Sequence, residues 1–206
     1  MSLDKYIQAL AKGQNLTVEE SYLAATALLG DVEPVLAGSF LSLLHAKGET
    51  ADELLGFHRA LTGSSRKIQI DKPFIDIVGT GGDKAGTLNI STGGSLLVAA
   101  CGVPVIKHGN RAVSSSCGSA DVLAELGFNL NLSDEDVHHA IDNNQFAFLF
   151  APNFYPVLRK LNEVRRKLAT PTIFNLMGPL LNPAGRHHII LGVYQAKYVP
   201  VIAEAL

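Results

Sequence analysis

Two segments of this chain combine residue types that bind phosphorylated ligands. One is Gly79-Thr80-Gly81-Gly82-Asp83, and the other runs from Lys107 to Arg111 as Lys-His-Gly-Asn-Arg. Glycines allow positive φ angles and let backbone N–H groups come close to an anion, while Lys and Arg add charge-assisted hydrogen bonds to phosphate oxygens. Taken alone, the glycine segment could be a tight turn, and the segment from Lys107 to Arg111 could be a solvated polar loop. The two together indicate a pocket for a polyanion.

A third segment, Asn89-Ile90-Ser91-Thr92, lies where a helix is predicted to begin. Ser91 or Thr92 can cap that helix, and its first N–H groups stabilise a nearby anion by roughly 0.3–1 kcal/mol. N-capping is the commoner use of Ser and Thr at such a place. The short distance in sequence from the glycine segment nevertheless favours a shared anion site.

The elements that must position these residues are short strands alternating with helices. Apolar runs at Phe74–Val78 and Val103–Ile106 lead directly into the glycine segment and into Lys107, and parallel strands end at the same edge of a sheet. This alternation predicts an α/β fold with a mainly parallel central sheet flanked by helices. Further strands are predicted over 146–150 and 189–193, and helices over 91–100, 121–126 and 157–168 and from 133 onwards.

The first third of the chain is predicted to form a separate all-α subdomain. Capping-box pairs and terminating glycines mark four short helices, with the pairs at Thr17/Glu20 and Thr50/Glu53 and the glycines at 13, 30, 48 and 63. We therefore expect a helical N-terminal subdomain over 1–68 and an α/β domain over 69–206. The sequence reaches Leu206 within another predicted helix, so we expect the α/β domain to be incomplete and the chain to be C-terminally truncated.

Composition restricts the class of protein. Lys and Arg number 17 against 19 Asp and Glu, for a net charge of −2, which argues against a general nucleic-acid binder. Cys101 and Cys117 lack CxxC spacing, so neither a disulfide framework nor a zinc site is predicted. The sequence has no signal-peptide pattern and no apolar run long enough to cross a bilayer. We expect a cytoplasmic protein without membrane or nucleic-acid partners.

Taken with their spacing, these segments resemble the anthranilate phosphoribosyltransferase family, within the wider nucleoside phosphorylase and phosphoribosyltransferase group. The similarity runs from the N-terminal helices to the last residue, and the motifs are specific as a set, although the glycine segment alone is not. The matching segments are Gly-Thr-Gly-Gly-Asp at 79–83, Asn-Ile-Ser-Thr at 89–92, Lys-His-Gly-Asn-Arg-Ala-Val-Ser-Ser at 107–115, Gly-Ser-Ala-Asp at 118–121 and Thr-Ile-Phe-Asn-Leu-Met-Gly-Pro-Leu-Leu-Asn-Pro-Ala at 172–184.

The resemblance implies transfer of the phosphoribosyl group from 5-phosphoribosyl 1-diphosphate to the amine of anthranilate. The products are N-(5-phosphoribosyl)anthranilate and diphosphate, in tryptophan biosynthesis. Mg²⁺ is the implied cofactor, with Ser91 as one ligand and the remaining ligands, an Asp-Glu pair, beyond Leu206. The residues expected to bind phosphoribosyl diphosphate are Gly79, Gly82, Asp83, Thr87, Asn89, Ile90, Ser91, Thr92, Lys107, His108, Gly109, Asn110, Arg111, Ala112, Val113, Ser114, Ser115 and Ser119.

By the same resemblance, Gly79, Asn110 and Arg165 should face anthranilate. Arg165 can pair bidentately with the anthranilate carboxylate, a role that Lys would fill poorly. Lys107, Asn110 and Arg165 are the expected catalytic residues. Two positions on the acceptor side depart from the family, in which Arg and His are usual: Pro171 and Tyr155.

The family also implies a homodimer through the N-terminal helices, and helices near 163–185 that join the helical subdomain. Three other functions fit parts of the pattern. A pyrimidine-nucleoside phosphorylase shares the expected architecture, but Lys107–Arg111 followed by Arg165 favours the transferase. A nucleic-acid-binding relative should lose the glycine segment and gain basic residues, which this chain does not. The third alternative is a truncated fragment that folds without turning substrate over.

Overall fold

The computed structural model of the protein describes residues 2–82, 88–112, 117–185 and 188–206. The helices are α1 (Asp4–Ala11), α2 (Val18–Leu29), α3 (Pro34–Lys47), α4 (Ala51–Gly63), α5 (Ile90–Ala100), α6 (Ser119–Glu125), α7 (Asp134–Asn144), α8 (Ala151–Phe154), α9 (Asn162–Leu168), α10 (Ile173–Met177) and α11 (Tyr198–Ala205). The strands are β1 (Ile75–Gly79), β2 (Val105–Gly109), β3 (Phe146–Phe150) and β4 (His188–Gly192), and 3-10 helices span Pro156–Leu161 and Gly178–Leu180.

The chain forms two compact units, a helical unit and an α/β unit. The helical unit consists of residues 1–64, 157–181 and 195–206, and the α/β unit consists of residues 65–156 and 182–194. Neither unit is one continuous stretch of sequence. The last helix, α11, belongs to the helical unit, which differs from the predicted α/β domain over 69–206.

In the helical unit, α2 and α4 begin at the capping residues found in the sequence. Thr17 and Thr50 accept the N–H groups of Glu20 and Glu53, and both glutamates bond back to complete capping boxes. Glu53 is fully buried, and it also accepts the N–H of Leu16 at 3.0 Å. One carboxylate therefore both starts α4 and holds the segment before α2.

Close packing of α2 on α4 depends on Gly56. A Cβ at this position would lie 2.5 Å from the carbonyl oxygen of Val18 and 2.7 Å from the nitrogen of Tyr22.

A second buried carboxylate, Glu49, accepts a hydrogen bond of 2.6 Å from the Tyr198 hydroxyl on α11. The helical unit is thus completed by a helix that is distant in sequence.

In the α/β unit, the four strands are all parallel and lie in the order β3-β2-β1-β4. The predicted α/β fold with a separate all-α N-terminal part and a mainly parallel sheet is confirmed. Two predicted boundaries were wrong: β2 begins and ends later than 103–106, and 157–168 is a 3-10 helix followed by α9. The core between sheet and helices is formed by Ala99, Val105, Ala120, Leu123, Leu130, Phe146 and Phe148.

Within the described ranges, no helix combines the length and the apolar character needed to span a bilayer.

Candidate active site

The glycine segment leaves β1 beside β4. Thr80 donates its N–H to the carbonyl of Gly192 at 2.9 Å, and Tyr194 donates its N–H to the Thr80 hydroxyl at 3.3 Å. Gly81 and Gly82 have φ angles of 64° and 81°, in the left-handed region that side chains disfavour. The glycine turn, residues 79–82, is therefore held beside β4 by these two hydrogen bonds, and the conformation requires glycine at Gly81 and Gly82.

The first turn of α5 presents polar groups of the Asn89–Thr92 segment. Asn89 is the N-cap, and its side-chain amide donates to the carbonyl of Cys117 at 3.3 Å. Ser91 is half-buried, and Ile90 is exposed. Thr92 is 1% exposed, and its hydroxyl has no hydrogen-bond partner among the residues that the structure describes. A buried hydroxyl without a partner is uncommon in proteins and is a position where a ligand or water can bind.

Lys107 and His108 lie inside β2, and not in a loop after the strand as predicted. Pairing of β2 with β3 continues to Gly109, so both side chains are buried rather than solvated. The Lys107 ammonium donates to the carbonyl of Ile77 on β1 at 2.5 Å. Burial lowers the pKa of Lys107, and the negative charge of Asp76 partly opposes that shift. The sheet thus holds a desolvated cation next to β1.

Asp76 on β1 is a fully buried carboxylate that the sequence analysis missed. Its Oδ2 accepts a hydrogen bond of 2.9 Å from the Asn182 amide and a long one of 3.5 Å from the N–H of His108. The same Asn182 nitrogen donates to the carbonyl of Ile106 at 2.9 Å, and the Asn182 oxygen accepts the N–H of Ala184 at 3.0 Å. Buried charges persist when such bonds compensate for lost water. Asn182 therefore ties β1 to β2.

The carbonyl of Asn110 receives two hydrogen bonds from the start of α6. Ala120 donates its N–H at 3.2 Å and Ser119 donates its hydroxyl at 3.3 Å. The Asn110 side-chain oxygen accepts the N–H of Arg111 at 2.7 Å. Asn110 and Arg111 are both exposed, so their main chain is fixed while their side chains face solvent.

Asp121 on α6 connects the same two stretches of chain through its carboxylate. Its Oδ2 accepts the N–H groups of Ala112 and Gly118, each at 2.9 Å, and its Oδ1 accepts from Arg111 Nη1 at 2.8 Å. These bonds lower the pKa of Asp121, the Ala112 N–H contributing most, followed by the Gly118 N–H. The carboxylate is therefore charged over the whole neutral range.

Arg165 belongs to the helical unit, where it lies on α9. Its guanidinium carbon is 5.0 Å from the centroid of the Phe174 ring, a cation–π contact. Burial lowers the pKa of Arg165. Arg165 is thus held against an aromatic ring of its own unit.

Tyr155 and Pro171 are the two departures from the family pattern. Tyr155 is 2% exposed, and its ring centroid is 5.9 Å from that of His108. Burial raises the pKa of the Tyr155 hydroxyl to about 12, so it stays neutral and can donate. Pro171 is exposed.

Five of the predicted site residues lie outside the part of the chain that the structure describes: Asp83, Thr87, Val113, Ser114 and Ser115.

Ser91 is the residue of this chain that the resemblance assigns to Mg²⁺. Its hydroxyl, half-buried in the first turn of α5, is a hard oxygen ligand of the kind that Mg²⁺ accepts. Across the described residues, no group of three or more His, Cys, Asp or Glu side chains converges to hold a metal ion. The Ser91 hydroxyl therefore fits the implied Mg²⁺ as one ligand.

The described residues of the candidate site are suited to binding negative charge. They combine a glycine turn, a helix start with a buried free hydroxyl, and the cation Lys107. N–H donors and cations held in place by the fold stabilise a charge that develops on a leaving group without reorganising. The arrangement is therefore chemically suited to the departure of a phosphorylated group.

Comparisons with known proteins identify relatives of the chain. At the level of sequence, the chain is 45% identical over 206 residues to the anthranilate phosphoribosyltransferase of Anaeromyxobacter dehalogenans strain 2CP-1, covering 99% of this chain and 61% of that protein. It is 47% identical over 202 residues to that of Nitratidesulfovibrio vulgaris strain Miyazaki F, covering 97% and 60%. The chain thus spans about three fifths of the length of these relatives.

Solved structures give the same result. The crystal structure of anthranilate phosphoribosyltransferase from Thermus thermophilus matches with a TM-score of 0.88 at 43% identity, covering 97% of this chain and 61% of that one. The Saccharomyces cerevisiae enzyme in complex with PRPP and Mg matches with a TM-score of 0.87 at 29% identity, covering 98% and 61%. These matches confirm the resemblance predicted from the motifs.

Two family descriptions cover nearly the whole chain. Residues 4–65 match the helical bundle domain of the glycosyl transferase family, and residues 71–206 match its a/b domain. Both matches agree with the kind of structure observed, four helices followed by a parallel sheet with its helices. The chain therefore belongs to the glycosyl transferase family.

Proposed function

We propose that the protein to which this chain belongs transfers the phosphoribosyl group of 5-phosphoribosyl 1-diphosphate to the amine of anthranilate. The products are N-(5-phosphoribosyl)anthranilate and diphosphate, in tryptophan biosynthesis. The observation that carries the proposal is the buried Thr92 hydroxyl at the start of α5, which has no hydrogen-bond partner within the described ranges. The glycine turn and Lys107 belong to the same candidate site. The relatives that match over nearly the whole chain are anthranilate phosphoribosyltransferases, which supports this substrate pair.

In this reaction the bond between C1′ of the ribose and the diphosphate oxygen breaks, and negative charge develops on the diphosphate. We assign its stabilisation to the N–H groups of the glycine turn at Gly79 and Gly82, the α5 start at Asn89, Ser91 and Thr92, and the Lys107 ammonium. Hydrogen bonds to charged groups are worth about 1.5–3 kcal/mol each, more than neutral ones. Mg²⁺, bound to diphosphate with Ser91 as one ligand, would neutralise part of the same charge.

The acceptor needs correct placement more than a strong base, because a neutral aromatic amine is already a nucleophile. We assign anthranilate to Gly79, Asn110 and Arg165, with the Arg165 guanidinium pairing with the carboxylate. Its planar fork matches a carboxylate in two parallel hydrogen bonds. The remaining phosphoribosyl-diphosphate contacts are assigned to Asp83, Thr87, Ile90, His108 to Ser115, and Ser119.

The proposal extends to the organisation of the whole protein. We propose a homodimer through the N-terminal helices, a cytoplasmic location, and a helical subdomain over 1–68 that is joined by helices near 163–185. Analytical ultracentrifugation tests the dimer. A monomer at micromolar concentration would rule it out.

The function is tested first by calorimetric titration of this chain with phosphoribosyl diphosphate and Mg²⁺. Thr92→Val removes the hydroxyl and keeps the shape of the side chain. Because no described hydrogen bond is lost, its unfolding midpoint should not fall, while affinity should drop by about 10- to 150-fold, equivalent to one charge-assisted bond of about 1.5–3 kcal/mol. Thr62→Val, whose hydroxyl donates to the His58 carbonyl on α4, is the control and should bind normally.

The outcomes separate the alternatives. No binding by the unaltered chain would reject the phosphoribosyl-diphosphate assignment, and equal affinity for both threonine variants would remove Thr92 from the site. An anthranilate-fluorescence assay with Mg²⁺ on this chain, and on a version extended past Leu206, tests turnover. Release of a free base from pyrimidine nucleosides and phosphate would instead support a nucleoside phosphorylase.

A further inference from the structure

The contacts of Asp121 are more extensive than helix capping requires. As the third residue of α6 it bonds back to the N-cap Gly118, which is the ordinary capping-box contact. The same oxygen also accepts the N–H of Ala112, and the other oxygen accepts from the Arg111 side chain. Asp136, the third residue of α7, accepts hydrogen bonds from the N–H and hydroxyl of Ser133 in its own capping box, and from no other group that the structure describes.

The two stretches that Asp121 joins touch main chain to main chain. A Cβ added at Gly118 would lie 2.4 Å from the nitrogen of Ala112 and 2.7 Å from the carbonyl oxygen of Asn110. A Cβ added at Gly109 would lie 2.2 Å from the Ser119 hydroxyl. Since glycines at both places permit this approach, the carboxylate of Asp121 can reach across.

We infer that Asp121 is a positioning residue that holds Asn110, Arg111 and Ala112 in the arrangement in which they meet phosphoribosyl diphosphate. The inference rests on the proposed function. The carboxylate acts in two ways: one oxygen fixes the main chain at Ala112, and the other fixes the direction of the Arg111 guanidinium.

The possible roles of Asp121 predict different changes in diphosphate affinity when its negative charge is removed. If Asp121 were a bystander, neutralising it would remove repulsion and tighten diphosphate binding. If it only capped α6, its removal would lower stability and leave affinity unchanged. If it positions the Asn110–Ala112 stretch, its removal weakens binding although the site becomes more positive.

The test compares Asp121→Ala and Asp121→Asn with Asp136→Ala and Asp136→Asn, which make the same changes at the capping box of α7. Affinity for phosphoribosyl diphosphate with Mg²⁺ is measured by calorimetry, and urea midpoints are measured alongside. Asp121→Ala should weaken binding at least about 10-fold, about 1.4 kcal/mol, while Asp136→Ala changes affinity less than about 2-fold. Asp121→Asn should have an intermediate effect, because its carbonyl can keep both N–H bonds while its NH₂ group opposes Arg111.

Amide hydrogen exchange supplies a readout that does not depend on the substrate. The Ala112 amide should lose protection in Asp121→Ala and keep it in Asp121→Asn and in both Asp136 variants. Unchanged protection in Asp121→Ala, or affinity that is unchanged or tighter in that variant, would overturn the positioning role. Failure of the unaltered chain to bind the ligand would instead count against the proposed function, leaving the exchange result to decide the role of Asp121.

Discussion

Replacing Asn182 by Asp would place a second carboxyl against the buried Asp76. In the protein the Asn182 nitrogen lies 2.9 Å from Asp76 Oδ2 and 2.9 Å from the Ile106 carbonyl oxygen. Asn182→Asp keeps the size and shape of the side chain but exchanges an N–H donor for an oxygen. Both attractive contacts become repulsive, and a proton taken up by either carboxyl restores the contact between positions 76 and 182.

The magnitude follows from the geometry. With charge centres about 4 Å apart and an effective dielectric constant of about 20, two carboxylates repel by about 4 kcal/mol. One pKa unit corresponds to about 1.36 kcal/mol, so the carboxyl introduced at position 182 should titrate about three units above an unfolded Asp, near pH 7. A pKa raised in the folded state means that stability is retained below about pH 4 and lost as pH rises towards 7. Between pH 4 and pH 8 the variant should lose about 4 kcal/mol relative to the parent chain.

Urea unfolding at a series of pH values, followed by circular dichroism, measures this difference. Asn143→Asp is the matched control, because Asn143 is an exposed amide on α7 that donates to the His139 carbonyl at 2.9 Å. Its cost should stay below about 1 kcal/mol and vary little with pH, as for other surface substitutions. A loss for Asn182→Asp that does not depend on pH, or no loss, would refute the charged and hydrogen-bonded Asp76 on which the reasoning rests.

Two further predictions concern packing and the acceptor. Gly56→Ala should lower the free energy of unfolding by about 1–3 kcal/mol, because its Cβ would lie 2.5 Å from the Val18 carbonyl oxygen. Gly63→Ala, on the same helix, is the control, because its Cβ would meet no atom within 4 Å. In urea titrations this control should be neutral or stabilising by up to about 1 kcal/mol. In a version of the protein with turnover, Arg165→Ala should raise the KM for anthranilate about 10-fold or more and that for phosphoribosyl diphosphate less than about 2-fold, with the exposed neighbour Arg166→Ala as control. Equal changes in both KM values would remove Arg165 from the acceptor site.

Local patterns in the sequence predicted the elements of the fold well. Thr17 and Thr50 cap their helices as expected, because a capping box is satisfied by residues three apart and needs no distant partner. The end of β2 was misplaced for the opposite reason. Lys107 and His108 read as loop residues by polarity, but pairing with β3 keeps them in the strand and buries them. Strand ends are set by partners that local sequence does not specify.

The candidate site shows the same division between local and distant information. The glycine turn and the α5 start were visible as motifs. Asp76 was not, because its role depends on Asn182, which is 106 residues away in sequence. Asp121 was read only as part of a motif, because nothing local reveals that its carboxylate reaches Ala112 nine residues back. Both are ordinary acidic residues until the fold supplies their donors.

The hydrogen bond from Tyr198 to the buried Glu49 also bears on how the chain folds during synthesis. The two residues are 149 positions apart, so α1 to α4 leave the ribosome long before their last partner exists. Until then Glu49 lacks this donor, and the surface that α11 covers stays open to water or to chaperones. Contacts of such long sequence separation slow folding, because loop-closure entropy must be overcome first. The helices made first are therefore expected to reach their native packing last.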